Sequence, residues 1–142
     1  MGDALEVARR HDDAFNAKDA DARRGIEAED IEVTLPGGLS LRGPDQTLPV
    51  SQAFWGAMPD AELSWERTFE AESLVAIEGY LTGTHTGPFP TPQGDIPASG
   101  NTVRLRYATI KRVEGDRIVS DHVYFDQMEF LQQIGAMPAP GG

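Results

Sequence analysis

Two alternating segments separated by a short turn constrain the fold of this chain more than any other feature. Thr102–Val113 and Arg117–Phe125 both alternate apolar and polar side chains, and Glu114-Gly115-Asp116 lies between them. Alternation of this length around a glycine-containing connection is typical of an antiparallel hairpin with one buried face. The sequence therefore predicts a long hairpin, followed by a short helix that Asp126 caps and Gly135 ends.

The first half of the chain has helical periodicity interrupted by two short alternating segments. Apolar residues recur at three- and four-residue spacing in three segments, which predict helices over Asp3–Ala17, from Asp19 or Asp21 to Ile26, and over Pro44–Met58. The alternating segments predict a small hairpin formed by Ile31–Leu35 and Leu39–Arg42. Pro49 is tolerated in the third helix only if it lies in the first turn.

The second half is rich in alternating segments. Two more strands are predicted near Leu63–Phe69 and over Leu74–Thr86, and the long strands suit antiparallel pairing. Gly87–Gly100 is punctuated by prolines and glycines, which predicts a long irregular loop at the edge of the sheet. Helices followed by a curved antiparallel sheet predict an α+β fold in which the helices cover the concave face and leave an interior pocket. We expect one domain over residues 1–137 and a disordered tail at 138–142.

Composition narrows the class of partner and the location. The 142 residues include 12 basic and 23 acidic side chains, so the formal charge is -11, which repels a phosphate backbone. Nucleic acid and anionic membranes are therefore not expected as partners. The absence of cysteine excludes disulfides and thiolate chemistry. The acidic start differs from a secretory signal and no apolar run is long enough to cross a bilayer, so a cytoplasmic location is expected.

Several weak motifs occur in an order that resembles one protein family. They are Ala14-Phe15-Asn16, Gly83-Thr84-His85-Thr86-Gly87, the turn at 113–118, His122-Val123-Tyr124-Phe125-Asp126 and Leu131-Gln132-Gln133-Ile134-Gly135. Together they make residues 4–137 similar to the SnoaL-like polyketide cyclase family of the nuclear transport factor 2-like superfamily. The resemblance implies a cone-shaped α+β barrel, a homodimer formed through the outer sheet face, and a cavity for a small hydrophobic molecule. It also implies that the cyclases among its members catalyse an aldol ring closure with no cofactor.

The chain departs from this family at the positions that move protons. In the cyclases an aspartate in the last strand acts as acid and base, and a histidine in the preceding strand supports it. Aligning on Gly115 and on Gln133-Ile134-Gly135 places Val123 and Thr109 at these positions. Val123 cannot transfer a proton, and Thr109 is a poor acid or base at neutral pH. Asp121 lies two residues before Val123 and shares its strand face, so it is the candidate replacement.

Asp121 and His85 are the two candidate catalytic residues. A carboxylate inside an apolar cone has a raised pKa and becomes a general base near neutrality, whereas Asp121 at a strand end can also be solvated or paired with an arginine. His85 can protonate a substrate, or it can only hydrogen-bond the loop that follows its strand. The acidic segment 27–32 is interpreted as a solvated face, and His11 as a surface or boundary residue of the first helix.

Six residues are candidate ligand contacts. They are Phe15, Trp55, Tyr107, Thr109, Val123 and Phe125. Tyr107 can donate a hydrogen bond to a carbonyl oxygen and stabilise an enolate, or its hydroxyl can be satisfied within the core. Trp55 can form a lid at the cavity mouth, although aromatic residues at helical spacing also form ordinary core. Arg104 and Arg106 lie on the strand face opposite Tyr107 and are expected on the outer surface.

Two functions from different classes fit the sequence. The first is a cyclase or isomerase that acts on a hydrophobic carbonyl compound with no cofactor, and an epoxide hydrolase is a variant of it. The second is a non-catalytic, dimeric module that binds a small apolar ligand or a partner's side chain. A cavity of roughly several hundred Å³ that contains Asp121 favours the enzyme, whereas Asp121 in bulk solvent favours the module. A metal is not expected, because the three histidines lack close ligand spacing.

Overall fold

Helices occupy much of the first 60 residues and one short later segment in the computed structural model, which describes residues 3–138. The helices are α1 (Asp3–Asn16), α2 (Ala20–Ile26), α3 (Pro44–Ala57) and α4 (Gln127–Gln133). Asp19 and Asp126 cap α2 and α4 through their side chains, which confirms both predicted helix starts. Pro49 lies in the second turn of α3 rather than the first, so the helix lacks the N–H that this position would donate. The predicted tail lies outside the described residues except for Pro138.

Six of the strands form one sheet. The strands are β1 (Glu27–Leu35), β2 (Leu39–Arg42), β3 (Glu62–Ala71), β4 (Leu74–Thr84), β5 (Phe89–Thr91), β6 (Gly94–Ile96), β7 (Thr102–Glu114) and β8 (Arg117–Phe125). The sheet has the order β2-β1-β8-β7-β4-β3, and β5 pairs with β6 in a separate hairpin. The predicted α+β fold with a curved sheet is confirmed, but β1 and β8 are parallel neighbours. The segment 87–100 contains the β5–β6 hairpin, so the prediction of an irregular loop is wrong there.

Strand β3 is irregular where it approaches Gly79 of β4. The register shifts between Trp65 and Arg67, and a Cβ atom on Gly79 would lie 1.9 Å from the carbonyl oxygen of Ser64. No side chain can be added at that distance without moving the backbone of β3. Glycine at this position therefore allows the two strands to lie close together at the irregularity.

The inward face of β7 explains how polar groups reach the interior. Residues 103, 105, 107, 109, 111 and 113 are all buried, whereas the positions between them are exposed or half-buried. Val103 and Leu105 pack against α4 and the end of α3, and Val113 packs near the start of α1. Between these apolar contacts, the same strand face presents Tyr107 and Lys111 beneath α1. No helix in the described part of the chain is long and apolar enough to cross a membrane.

Candidate functional site

A cavity between the helices and the sheet combines an apolar wall with a buried polar cluster. It holds about 110 Å³, which is smaller than the expected several hundred Å³ and close to the size of an engineered cavity that binds one benzene ring. The apolar wall includes Phe15, Val33, Phe54, Leu105, Val123 and Phe125. The polar cluster comprises Asp12, Arg23, Glu27, Thr47, Tyr107, Thr109, Lys111 and Asp121 on the cavity wall, with His11 behind them.

Lys111 lies at the centre of the polar cluster and is only 2% exposed. Its Nζ atom lies 3.1 Å from Oδ1 of Asp12 and 3.1 Å from Oδ2 of Asp121. It also lies 2.8 Å from Nδ1 of His11. An ammonium group has three N–H donors and no acceptor, so these three contacts satisfy Lys111 completely. Two carboxylates therefore compensate the buried positive charge.

His11 of α1 is fully buried and connects Lys111 to Glu27. Because the ammonium can only donate, Nδ1 of His11 accepts, and Nε2 carries the proton and donates to Oε2 of Glu27 at 2.8 Å. Burial, followed by the positive charges of Arg23 and Lys111, lowers the pKa of His11 well below its ordinary value. The imidazole is therefore neutral, and the prediction of a surface or boundary position is wrong.

Glu27 begins β1 and is buried under α1 and α3. Its Oε1 atom accepts a hydrogen bond from the hydroxyl of Thr47 at 2.6 Å, and its Oε2 atom accepts from His11. Burial raises the pKa of Glu27, and the hydrogen bond from Thr47 opposes this change. The interpretation of 27–32 as a solvated face is wrong at this first position, although residues 29 and 30 are exposed.

Asp12 adjoins His11 on α1 and is also buried. Its Oδ2 atom accepts a hydrogen bond from the indole N–H of Trp65 at 2.9 Å, while Oδ1 faces Lys111. Burial alone would raise the pKa of Asp12, but the charges of Lys111 and Arg23 outweigh it and lower the pKa below its ordinary value. Asp12 therefore serves as a permanent negative partner of Lys111.

Asp121 reaches the cavity from β8 because it lies directly opposite Lys111 in the antiparallel β7–β8 pair. The hydroxyl of Thr109 is hydrogen-bonded to Oδ1 of Asp121 and lies 3.0 Å from the carbonyl oxygen of His122. The carboxylate is 4% exposed, so it is neither solvated nor paired with an arginine. A carboxylate has about four lone-pair sites, so Asp121 keeps acceptor capacity toward the cavity.

The hydroxyl of Tyr107 is buried and has no hydrogen-bond partner among the described residues. It belongs to the cavity wall, near Asp12 and Asp121. Burial, together with the negative charges of these two aspartates, raises the pKa of Tyr107 far above its ordinary value. Tyr107 is therefore a neutral O–H donor available to an acceptor atom of a ligand.

Two of the predicted site residues do not line the cavity. His85 is fully buried, its Nδ1 atom lies 2.9 Å from the hydroxyl oxygen of Ser99, and its backbone N–H donates to Asn101. Its contacts hold the segment that precedes β7, as expected for the alternative in which His85 hydrogen-bonds the loop after its strand. Trp55 packs against Phe15 with ring centroids 5.6 Å apart, and its neighbour Phe54 lines the cavity instead. Consecutive helical residues point about 100° apart, so Phe54 and Trp55 face different directions.

The remaining predicted site residues lie together in the cavity wall. They are Phe15, Tyr107, Thr109, Asp121, Val123 and Phe125. Sequence reasoning missed six members of the polar cluster: His11, Asp12, Arg23, Glu27, Thr47 and Lys111. A signal for His11 was its helical spacing from Ala4, Ala8 and Phe15, and a signal for Lys111 was its even spacing from Tyr107 and Thr109.

Several solved structures share this fold over nearly the whole chain. A candidate SnoaL-like polyketide cyclase from Jannaschia sp. CCS1 has a TM-score of 0.83 at 20% identity, covering 96% of this chain and 94% of that one. AclR, a candidate hydroxylase from Streptomyces galilaeus, has a TM-score of 0.83 at 19% identity, covering 98% and 85%. IdmH, a candidate polyketide cyclase from Streptomyces antibioticus, has a TM-score of 0.78 at 24% identity, covering 93% and 98%. These likenesses establish the fold, not the reaction.

The sequence itself identifies the family. No curated protein matches the sequence significantly. The family model of the SnoaL-like polyketide cyclases matches residues 5–134, which is most of the chain. This chain therefore belongs to the SnoaL-like polyketide cyclase family.

Proposed function

We propose that this protein is a cyclase or isomerase that acts without a cofactor on a small hydrophobic carbonyl compound. The observation that carries the proposal is the presence of an acceptor and a donor in one cavity. The acceptor is the carboxylate of Asp121, and the donor is the unpartnered hydroxyl of Tyr107. Proton abstraction beside a carbonyl group requires a base at the carbon and a hydrogen-bond donor at the oxygen.

In the proposed reaction, Asp121 accepts a proton from the carbon next to the carbonyl group. The electrons of the broken C–H bond form the enolate, whose oxygen accepts a hydrogen bond from Tyr107. Lys111 and Thr109 hold the two carboxylate oxygens of Asp121 in place. In a cyclase, the enolate carbon then attacks a second carbonyl carbon of the same molecule, and a proton added to the resulting alkoxide completes the aldol reaction.

The size and charge of the cavity limit the substrate. A cavity of about 110 Å³ accommodates one ring or a chain of similar size, so a larger substrate must extend beyond it. Asp12, Asp121 and Glu27 supply three carboxyl groups, whereas Lys111 and Arg23 supply two cations. An anionic group has no unpaired cation to meet, so we expect a neutral substrate.

The non-catalytic binding module remains a second candidate for a specific reason. Both oxygens of Asp121 already have hydrogen-bond partners in Thr109 and Lys111. A binding module needs only the apolar wall and the hydroxyl of Tyr107. The two candidates differ in whether a bound carbonyl compound is chemically changed.

A small panel of probes separates these candidates. The probes are acetonylacetone, a linear diketone that closes by an intramolecular aldol reaction, cyclohexanone, and cyclohexene oxide. Proton NMR would follow each probe with the wild-type protein and with Asp121→Asn. We expect turnover of at least one ketone by the wild type and none by the variant. Binding of the ketones without turnover by either protein would favour the binding module, and epoxide opening alone would favour the hydrolase variant.

We also propose that two copies of this chain pair through the outer face of the sheet. The exposed side chains Phe69 (66%), Ile110 (41%) and Tyr124 (55%) lie on this face, across β3, β7 and β8. Exposed apolar groups that continue across neighbouring strands are typical of a protein interface. Sedimentation of the wild type should give a dimer, and Ile110→Glu should give a monomer; a monomeric wild type would contradict this arrangement.

A further inference from the structure

Glu27 is a second carboxyl group on the wall of the cavity that contains Asp121. Its two oxygens contact Thr47 at 2.6 Å and His11 at 2.8 Å. His11 is in turn linked through Lys111 to Asp121, at 2.8 Å and 3.1 Å. The proposed base and Glu27 therefore belong to one buried network and face one space.

The charges of the network distinguish the carboxyl group of Glu27 from that of Asp121. Lys111 and Arg23 are the two cations, and Asp12 and Asp121 are the two carboxylates that contact Lys111. His11 is neutral because it accepts from Lys111, so it adds no positive charge. Glu27 is the third carboxyl group of a network with two cations, and it has no cation in direct contact through either oxygen. A buried carboxyl group without an ionic partner favours its protonated form.

We propose that Glu27 is a general acid of this site, that it delivers a proton to the oxygen that becomes an alkoxide, and that His11 positions it. This inference rests on the proposed function and deepens it. Asp121 takes the proton from the C–H group, the new C–C bond forms, and the electrons of the second C=O bond move to its oxygen. That oxygen takes the proton of Glu27. Water restores the proton on Glu27 and removes the proton from Asp121 when the product leaves, so no other reactant is needed.

The groups around Glu27 support the assignment. His11 of α1 donates from Nε2 to Oε2. Oε1 accepts from the hydroxyl of Thr47 of α3 through one lone pair and carries the proton on the other. Arg23 of α2, Lys111 of β7 and Asp121 of β8 are the charged groups that act on Glu27 from the other elements. Burial raises its pKa, and the charge of Asp121 does so to a smaller extent. The same geometry fixes His11 as a positioning residue, because it contacts the acid and not the cavity.

The two steps of acetonylacetone ring closure allow Asp121 and Glu27 to be tested separately. Exchange of its α-protons with deuterium in D2O requires the base Asp121 and the donor Tyr107, whereas ring closure also requires the acid. We expect Asp121→Asn to lose both activities. Glu27→Gln, which keeps the size of the side chain but has no acidic proton, should keep most of the exchange and lose ring closure by about a hundredfold or more.

The pH dependence and a matched control complete the experiment. Ring closure by the wild type should slow as the pH rises through the pKa of Glu27, because the acid loses its proton. Glu27→Gln should not show this decrease in rate at high pH. His11→Gln should change the pH at which this decrease in rate occurs. Trp65→Phe removes a hydrogen bond to Asp12 in the same network, so it controls for a general disturbance of the buried network. This variant should keep the wild-type rates of exchange and ring closure and the wild-type pH dependence of ring closure.

The possible results separate the two proposals. Exchange retained by Asp121→Asn, or neither activity in the wild type, would overturn the proposed function together with this inference. Exchange without closure in the wild type would overturn the inference alone. Ring closure by Glu27→Gln at the wild-type rate and with the wild-type pH profile would also overturn the inference alone. The same would follow if Trp65→Phe lost as much ring-closure activity as Glu27→Gln.

Discussion

The Nζ atom of Lys111 lies 2.8 Å from Nδ1 of His11, and both side chains are buried although they are 100 residues apart in the sequence. This contact connects the last long hairpin of the sheet to the first helix. It also determines the proton positions of the network, because a lysine ammonium can only donate. Nδ1 of His11 therefore accepts, and Nε2 carries the proton that it donates to Glu27.

The first prediction concerns stability at mildly acidic pH. The pKa of His11 is lowered in the folded protein, so below about pH 6.5 the unfolded state binds a proton that the folded state does not. The free energy of unfolding should therefore fall as the pH is lowered from about 7.5 to about 5.5. His85 also contributes a decrease in the free energy of unfolding as the pH is lowered, because burial lowers its pKa. Glu27 contributes an increase, because its pKa is raised. Urea unfolding should show a smaller decrease for His11→Gln than for the wild type, and equal decreases would contradict a buried neutral His11.

The second prediction concerns the cost of removing the buried cation. Lys111→Met leaves the carboxylates of Asp12 and Asp121 buried without their partner, which should destabilise the fold by about 3–5 kcal/mol. Arg67 forms an exposed pair with Glu78 at 2.9 Å and provides a matched control. Arg67→Met should cost less than about 1 kcal/mol. Urea unfolding measures both values, and similar losses in the two variants would contradict the central role of Lys111.

The third prediction concerns the close approach of β3 and β4. Gly79→Ala places a Cβ atom 1.9 Å from the carbonyl oxygen of Ser64, so the strands must separate, and we expect a loss of about 2 kcal/mol or more. In Gly25→Ala, within α2, the new Cβ atom meets nothing within 4 Å. This control should be neutral or stabilising by about 0.4–1 kcal/mol. Thermal unfolding compares the two variants, and an unchanged midpoint for Gly79→Ala would show that the irregularity tolerates a side chain.

The fourth prediction separates the function of Tyr107 from its packing. Its hydroxyl has no partner among the described residues, so Tyr107→Phe should leave the urea midpoint unchanged or slightly higher. The same variant should lower the rate of ketone deuterium exchange by about a hundredfold, because it removes the donor to the enolate oxygen. Unchanged exchange in a stable variant would remove Tyr107 from the mechanism.

Local patterns predicted most of the fold. The hairpin of β7 and β8, the caps at Asp19 and Asp126, and the small β1–β2 hairpin follow from alternation and short turns. The parallel pairing of β1 with β8 joins segments about 90 residues apart, and no turn in the sequence specifies it. The β5–β6 hairpin is hidden in a segment rich in proline and glycine.

The polar part of the site was harder to predict, because its members come from separate elements. Asp121 and Tyr107 were found from strand alternation and from the family resemblance. Lys111 and Glu27 are charged residues, and a charged residue is exposed by default unless a partner compensates it. Their partners, Asp12 and His11, lie on α1, so only the tertiary structure shows that the charges are paired. His85 was assigned two alternative roles from its position between glycines, and the structure places it outside the cavity wall, beside Ser99.

The rate of α-proton exchange in acetonylacetone, measured by NMR in D2O, tests the central claim most directly. The claim is that Asp121 removes a proton from a carbonyl compound held in the cavity. Wild type should accelerate exchange, and Asp121→Asn should reduce the acceleration by about a hundredfold or more while remaining folded. Equal exchange rates for the wild type and the folded Asp121→Asn variant would contradict the claim.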